Sequence, residues 1–253
     1  MKLKDYDYKE RKIKVEEILD NTDKINEVEK FPRDDDFTYT NGYKAWAGAI
    51  FVDLRDSTTL FSEDDEVKIA KVIRGFTSEI IEILRKDTDD YLKEIGIRGD
   101  CVFAVYSATQ KEDLYDIANR AFYVNTYMEM LNKLLSERDL PNIKAGIGLA
   151  ANETLAVKAG RKSSGINNLV WIGESVTIAA KLSDIGNKDG ISPIVMSELF
   201  YDNYIEIQKQ KQPSDNVEDW WTKKTDSNYG SYYHGDVVVK SFNEWIKDGM
   251  KDE

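Results

Sequence analysis

The sequence contains a single cysteine, Cys101, and a single histidine, His234. One cysteine cannot form an intrachain disulfide bond, and one histidine excludes a histidine-rich metal site or a mechanism that uses a pair of histidines. Carboxylate oxygens therefore remain as the ligands for a metal ion. Such ligands favour hard cations such as Mg²⁺ or Mn²⁺.

Long apolar runs are also absent. No segment is apolar over the length needed to cross a bilayer, and the first residues lack the apolar core of a signal peptide, so we expect a cytoplasmic protein with no membrane partner. The 253 residues carry a net charge of -12. This charge repels nucleic acid, although a local basic pocket could hold a small phosphate ligand beside a divalent cation.

Hydrophobic periodicity predicts alternating strands and helices after residue 40. Strands are predicted at 46–54, 91–97, 101–106, 143–150, 154–159, 169–172 and 192–196, helices at 65–86, 112–138 and 174–185, and a loop at 160–168. The order β-α-β-β-α-β is that of the ferredoxin-like split βαβ plan, an α+β fold whose helices cover one face of a mainly antiparallel sheet. A tyrosine-rich tail, residues 232–246, is predicted to form a hairpin that completes this sheet.

The first 40 residues are highly charged, and their apolar residues recur at roughly helical spacing: Ile13, Val15, Ile18, Leu19, Ile25 and Val28. This pattern predicts an N-terminal helical extension, residues 1–40, ahead of a single larger domain, residues 41–253. The extension is either a solvated helix packed on the domain or an arm for dimerisation or regulation.

An aspartate interrupts the apolar strand in "GAIFVDLRDSTTLF", residues 48–61. This residue, Asp53, and Asp100 in a later Gly-Asp turn belong to strands that are neighbours in a split βαβ sheet. Their carboxylates would repel each other unless a divalent cation lies between them, and such cations bring a phosphate substrate. The N–H groups of the turn after Asp53 could hold the phosphates. A strand-edge aspartate and an ordinary turn former are the simpler interpretation of the pair.

Four segments together resemble the class III nucleotidyl cyclases. "FVDLRDST" (51–58) is similar to the opening motif of that family, and "IRGDCVFAVY" (97–106) to its second metal-binding aspartate in a Gly-Asp turn. "NIKAGIGLAANETLAVKAG" (142–160) looks like its central Gly-Ile-Gly hairpin, and "WIGESVTIAAKL" (171–182) like its last motif. Their order and spacing are more specific than any one of them, and the resemblance covers about residues 44–200.

The resemblance implies a cyclase catalytic domain that cyclises a nucleoside triphosphate, with release of pyrophosphate. It implies that Asp53 and Asp100 bind two Mn²⁺ or Mg²⁺ ions, with the Leu54 carbonyl as a further ligand. The other roles implied are triphosphate binding by the backbone of Leu54, Arg55, Asp56, Ser57 and Thr58, catalysis by Thr177 and Lys181, and phosphate binding by Lys240. Members of the family act as head-to-tail homodimers with composite active sites.

Departures from the family pattern bear on the substrate. Gly96 and Val170 replace the lysine and the aspartate with which adenylate cyclases read adenine, so ATP should be a poor substrate. Asp56 replaces a glycine of the phosphate loop, which fits a standard triphosphate pose poorly. Arg98 could donate to a pyrimidine carbonyl, or could be a solvated turn residue.

This combination is similar to the pyrimidine cyclases of bacterial Pycsar antiphage defence. The resemblance implies UTP or CTP as substrate, with UTP favoured, and a cyclic nucleotide product that activates a separate effector protein. A purine cyclase and a cyclase-like module that binds nucleotide without turnover are the alternatives. Asp53 and Asp100 favour the enzyme, because two close carboxylates are costly to keep without metal ions.

Overall fold

A computed structural model of the chain describes residues 6–21, 24–57, 60, 65–161 and 166–251. The helices within these ranges are α1 (Tyr8–Asp20), α2 (Glu66–Arg85), α3 (Lys111–Ser136), α4 (Glu174–Ile185), α5 (Glu198–Lys211) and α6 (Lys240–Lys247). The strands are β1 (Lys24–Glu27), β2 (Asn41–Leu54), β3 (Leu92–Arg98), β4 (Cys101–Ser107), β5 (Ala145–Arg161), β6 (Ile166–Gly173), β7 (Ile194–Ser197), β8 (Thr222–Asp226) and β9 (Gly230–Gly235). Among these helices none is long and apolar enough to span a membrane.

The four central strands follow the order β3-β4-β2-β5, and each pairs with its neighbour in the antiparallel direction. Helix α2 connects β2 to β3, and α3 connects β4 to β5. This is the split βαβ arrangement, so the predicted α+β fold is confirmed. Strands β7, β9 and β8 extend the sheet beyond β5, with β7 parallel to β5. Strand β1 adds to β2 in parallel, and β6 forms a long antiparallel pair with β5.

Residues of β2 alternate between two apolar layers, as the period of a strand requires. Ile50, Val52 and Leu54 pack with α2, α3 and α5 in the larger layer. Ala49 and Phe51 belong to the opposite layer, which α4 covers together with the buried rings of Phe31 and Phe37. The predicted helix-covered face therefore contains α2 and α3, whereas α4 lies on the other face of the sheet.

Local sequence features explain where α2 begins and which of its faces is buried. The Asp65 side chain accepts hydrogen bonds from the N–H groups of Val67 and Lys68 and so caps the start of α2. The apolar residues of α2 recur on one face, and Val72, Phe76, Ile80 and Leu84 are fully buried against the sheet.

Three predicted elements differ in the structure. The predicted strands 143–150 and 154–159 form one continuous strand of 17 residues, β5, so the break expected between them is absent. The tail hairpin consists of β8 and β9, and the predicted second arm is α6. In the first 40 residues only α1 is an α-helix among the described residues, since Ile25 lies in β1.

Candidate active site

Asp53 lies near the end of β2, where β4 and β5 flank it. In the sheet register it pairs with Cys101 on β4 and with Gly146 on β5. Asp100 directly precedes Cys101 in a turn that Gly99 makes possible with a φ of 61°. The fold therefore brings Asp53 and Asp100 to adjacent strand ends. Their sequence separation is large, and only the pairing of β2 with β4 joins them.

The electrostatic surroundings of Asp53 show a concentration of negative charge. Burial raises the pKa of its carboxyl, and the charges of Asp100 and Asp184 add to the increase, while Arg55 opposes it. Burial, followed by the charge of Asp53, raises the pKa of the neighbouring Cys101 thiol to about 12. That thiol is therefore neutral near pH 7 and is a poor nucleophile or metal ligand.

Arg55 was predicted to bind the triphosphate through its backbone, but its N–H donates to the Lys144 carbonyl at 2.8 Å. The residue is 4% exposed, and its guanidinium forms an ion pair with Asp53. Its Nη1 donates to the Asp184 carbonyl at 2.6 Å, and its Nη2 donates to the Ser183 carbonyl at 3.0 Å, both at the end of α4. Arg55 thus connects the end of β2 to α4. No sequence signal indicated this contact, because Asp184 lies far along the chain.

The donor set around Asp53 fits a hard divalent cation that also binds phosphate. Two carboxylates lie at adjacent strand ends, and Leu54, the last residue of β2, follows Asp53. Within the described residues no group of three or more His, Cys, Asp or Glu side chains could hold a metal ion. Mg²⁺ is usually held by one or two carboxylates and completes its shell with water and substrate phosphates. The pair therefore fits a cation that arrives with a nucleotide better than a cage built from protein alone.

The turn after β2 consists of Arg55 and Asp56, and Ser57 after it is helical. Asp56 has a φ of 55°, in the left-handed region, and its carbonyl accepts a hydrogen bond from the Leu60 N–H at 3.0 Å. This conformation explains why the family motif has glycine where this chain has Asp56. Aspartate tolerates the left-handed region better than most other residues. Thr58, predicted in the same loop, lies outside the described residues.

Thr177 and Lys181 are exposed and lie one helical turn apart on α4. They line a surface recess of about 450 Å³ together with Gly173, Glu174, Ile178, Asn228 and Tyr229. Asp53 and Asp100 are not among the described residues that line this recess. Within one chain, the predicted catalytic pair therefore lines a recess to which neither aspartate contributes.

A cavity of about 400 Å³ lies beside β3 and includes Gly96 and Arg98. A Cβ atom on Gly96 would lie 2.8 Å from Cε1 of Phe103, so a lysine here would displace the ring. Phe103 also stacks on Phe51, with the ring centroids 5.2 Å apart, and the Arg98 guanidinium lies 5.2 Å from the Phe103 centroid. An aromatic surface thus occupies the position where adenylate cyclases present their lysine.

The other predicted base position, Val170, is 42% exposed on β6, opposite Val157 of β5. It does not line the 400 Å³ cavity, to which its neighbour Leu169 contributes. Sequence analysis missed Glu94, which lines this cavity and accepts a hydrogen bond from the Trp171 indole. Burial raises the pKa of the Glu94 carboxyl, while the Trp171 hydrogen bond opposes the shift. Strand alternation alone gave no signal for this pair.

Lys240 is the first residue of α6 and is exposed. Helix α6 packs against α3, on the layer opposite the Asp53 face.

A larger recess of about 610 Å³ lies between α2 and α3, with Glu79, Asp116 and Arg120 among its lining residues. The chemistry points to the Asp53 region rather than to this recess, because neither predicted metal ligand lines it.

Comparisons with known proteins identify the family and the fold. No protein-family profile matches the chain. A curated uridylate cyclase from Treponema porcinum is 43% identical over 247 residues, which cover 98% of this chain and 83% of that protein. A uridylate cyclase from Gulbenkiania mobilis is 28% identical over 253 residues, with 97% of each chain covered. The crystal structure of the guanylyl cyclase Cya2 superposes with a TM-score of 0.62 at 14% identity, over 80% of this chain and 97% of that one.

Proposed function

The chain belongs to the uridylate cyclases, and on that premise we propose that it converts UTP into 3′,5′-cyclic UMP and pyrophosphate. It is a nucleotidyl cyclase. The observation that supports the proposed chemistry is the pairing of β2 with β4, which brings Asp53 and Asp100 together at adjacent strand ends. We propose that these two carboxylates, with the Leu54 carbonyl, bind two Mg²⁺ or Mn²⁺ ions.

The proposed reaction is an in-line displacement at the α-phosphorus. The ribose 3′-oxygen forms a bond to this phosphorus and loses its proton to solvent, while the bond between the α-phosphorus and the bridging oxygen breaks. Pyrophosphate leaves with that oxygen. Two bound cations would supply charge neutralisation on the attacking and departing oxygens. Asp53 and Asp100 would fix the position of this charge at the end of the sheet.

The remaining predicted residues would bind the nucleotide from two sides. The N–H groups from Asp56 to Thr58 would contact the triphosphate, whereas the Arg55 N–H donates to the Lys144 carbonyl. Thr177 and Lys181 would come from the partner subunit of a homodimer, since α4 presents them on a different surface from Asp53. The hydroxyl would hydrogen-bond the ribose, and the ammonium would neutralise phosphate charge without a bidentate fork. Lys240, exposed at the start of α6, stays a proposed phosphate contact.

The pyrimidine base would occupy the 400 Å³ cavity beside β3. A pyrimidine ring could lie against the aromatic surface near Gly96, and Arg98 at the cavity edge could donate to a base carbonyl. Val170, beside Leu169 on β6, does not line this cavity in one chain, and its contact with the base stays a proposal. Uracil presents its O4 carbonyl where cytosine carries an amino group, so an arginine donor directed at this position would favour UTP.

The test is turnover of UTP, CTP, ATP and GTP with Mn²⁺, with products resolved by mass, for the wild type and Asp53→Asn. We expect cyclic UMP from the wild type and a loss of at least about 100-fold in Asp53→Asn, because a lost carboxylate removes cation binding. Asp219→Asn, at an exposed carboxylate between α5 and β8, should keep wild-type turnover. Cyclic CMP or a purine product would overturn the base assignment, and binding without any product would favour a nucleotide-binding module.

We further propose that cyclic UMP acts as a second messenger of antiphage defence on a separate effector protein in the cytoplasm. The support is the similarity to curated uridylate cyclases. Bacteria that express the wild type with its native neighbouring genes should resist phage and accumulate cyclic UMP after infection. Asp53→Asn should remove both effects, and resistance that persists in this variant would contradict the proposal.

A further inference from the structure

We propose that Arg55 is a fixed internal cation that competes with divalent cations for Asp53, so that these cations bind tightly only together with a triphosphate. The inference rests on the proposed cation site at Asp53 and Asp100. It assigns to Arg55 a positioning role in place of the predicted contact with phosphate.

Backbone carbonyls fix the guanidinium independently of the Asp53 carboxylate. Arg55 Nε donates to the Asp53 carbonyl at 3.3 Å, Nη1 to the Asp184 carbonyl at 2.6 Å and Nη2 to the Ser183 carbonyl at 3.0 Å. The side chain is 2% exposed, so it has little room for another conformation. These contacts anchor the guanidinium to β2 and to the carbonyl end of α4, where a positive charge is also favoured.

The contact with the Asp53 carboxylate is the one that Arg55 can give up. Nη2 carries two protons, but its neighbours include the Ser183 carbonyl, the Asp53 carbonyl at 3.1 Å and Oδ2 of Asp53. A cation that takes Oδ2 therefore leaves the guanidinium held by its carbonyl partners. An arginine does not lose its proton at accessible pH, so its positive charge stays beside the cation.

Two consequences follow from this fixed charge. Without a cation, the positive charge of Arg55 offsets part of the repulsion that Asp100 and Asp184 exert on the Asp53 carboxylate. With a cation, the like charges of the guanidinium and the metal repel each other, which lowers affinity. A triphosphate adds negative charge at the same place and offsets this repulsion. Arg55 therefore couples cation binding to nucleotide binding.

The test measures Mn²⁺ affinity by electron paramagnetic resonance in the full-length protein without nucleotide. Arg55→Gln should bind Mn²⁺ on the order of tenfold more tightly than the wild type, because the competing charge is gone. Arg55→Lys keeps a positive charge and should stay within about twofold of the wild type. A non-hydrolysable UTP analogue should reduce the difference in Mn²⁺ affinity between Arg55→Gln and the wild type. Equal or weaker binding by Arg55→Gln would overturn the proposal.

Asp53→Asn separates this proposal from the one it rests on. Mn²⁺ affinity that is the same in Asp53→Asn as in the wild type would overturn the cation site itself, and the role of Arg55 with it.

Loss of a buried ion-pair partner can also prevent folding. The wild type then gives the decisive measurement through ¹⁵N resonances of the Arg55 guanidinium, assigned with Arg55→Lys. These should shift as Mg²⁺ binds, and unchanged resonances at saturating Mg²⁺ would contradict the competition.

Discussion

Asp56 combines two properties in the loop proposed to hold the triphosphate. Its φ of 55° requires a residue that tolerates the left-handed region, and aspartate does so better than most residues other than glycine. Its carboxylate adds a negative charge where phosphates are proposed to bind. The conformation therefore explains why glycine stands here in the family motif, but the charge of Asp56 should oppose substrate binding.

Asp56→Gly should lower the KM for UTP several-fold, because it removes that charge and keeps the backbone conformation. Stability should change by less than about 1 kcal/mol, since relief of strain offsets the added freedom of the unfolded chain. Steady-state kinetics and urea unfolding measure the two effects. Asp56→Asn is the matched control, because it removes the charge with a side chain of the same shape. If Asp56→Asn leaves KM unchanged, charge is not the cause.

Individual site residues can be predicted from sequence where a recognisable motif agrees with the strand pairing of the predicted fold. Asp53 and Asp100 are recognisable from their turns, and the split βαβ order brings their strands together. The direction in which Arg55 points was not predictable, because its partners Ser183 and Asp184 are distant in sequence and contribute backbone carbonyls, which any residue type carries. Glu94 and Trp171 were missed for a similar reason, since β3 and β6 are brought together only by the tertiary fold.

Strand β5 and helix α4 form a direct backbone contact that places α4 on the site face of the sheet. A Cβ atom on Gly148 would lie 2.0 Å from the carbonyl oxygen of Ala179 and 2.3 Å from the N–H nitrogen of Ser183. Gly146 is confined in the same way by the Ser183 carbonyl, at 2.2 Å. The glycines therefore set the distance between β5 and α4, and α4 carries both Thr177 and the carbonyl anchors of Arg55.

Gly148→Ala should destabilise the protein by about 3 kcal/mol or more, because backbone atoms cannot move aside as a side chain can. The free energy of urea unfolding measures this cost. Gly75→Ala in α2 is the matched control: its Cβ atom would lie 3.2 Å from Cδ1 of Leu131, a flexible tip. There the higher helix propensity of alanine should leave stability unchanged or raised. Similar losses in both variants would show that backbone contact is not the cause.

Hydrophobic periodicity predicted the amphipathic helices correctly. It failed where tertiary packing determines the secondary structure of a segment. Helix α2 and helix α4 were predicted within a residue of their ends, since each has an apolar face and a clear start. The break expected after residue 150 is absent because β5 continues along β2 and β6 over its whole length. The segment after β9 becomes α6 because its apolar residues pack on α3, a contact that strand propensity cannot reveal.

The arrangement of the whole molecule separates the proposed site into two surfaces. Asp53 and Asp100 lie at the ends of β2 and β4, whereas Thr177 and Lys181 line a recess on α4. In the proposed head-to-tail dimer, the aspartates of one subunit would meet the α4 surface of its partner, and a closed two-fold arrangement would form two such sites.

Asp53→Asn and Lys181→Ala should each lose turnover alone and recover it when mixed. A heterodimer of the two variants collects both defects in one site and leaves the other intact, so an equal mixture should reach about a quarter of wild-type turnover after subunit exchange. Native mass spectrometry of variants with different tags verifies that heterodimers form, and each variant incubated with itself is the control. Heterodimers without recovered turnover would mean that each site carries one of the two defects, which requires Lys181 to act with the aspartates of its own chain.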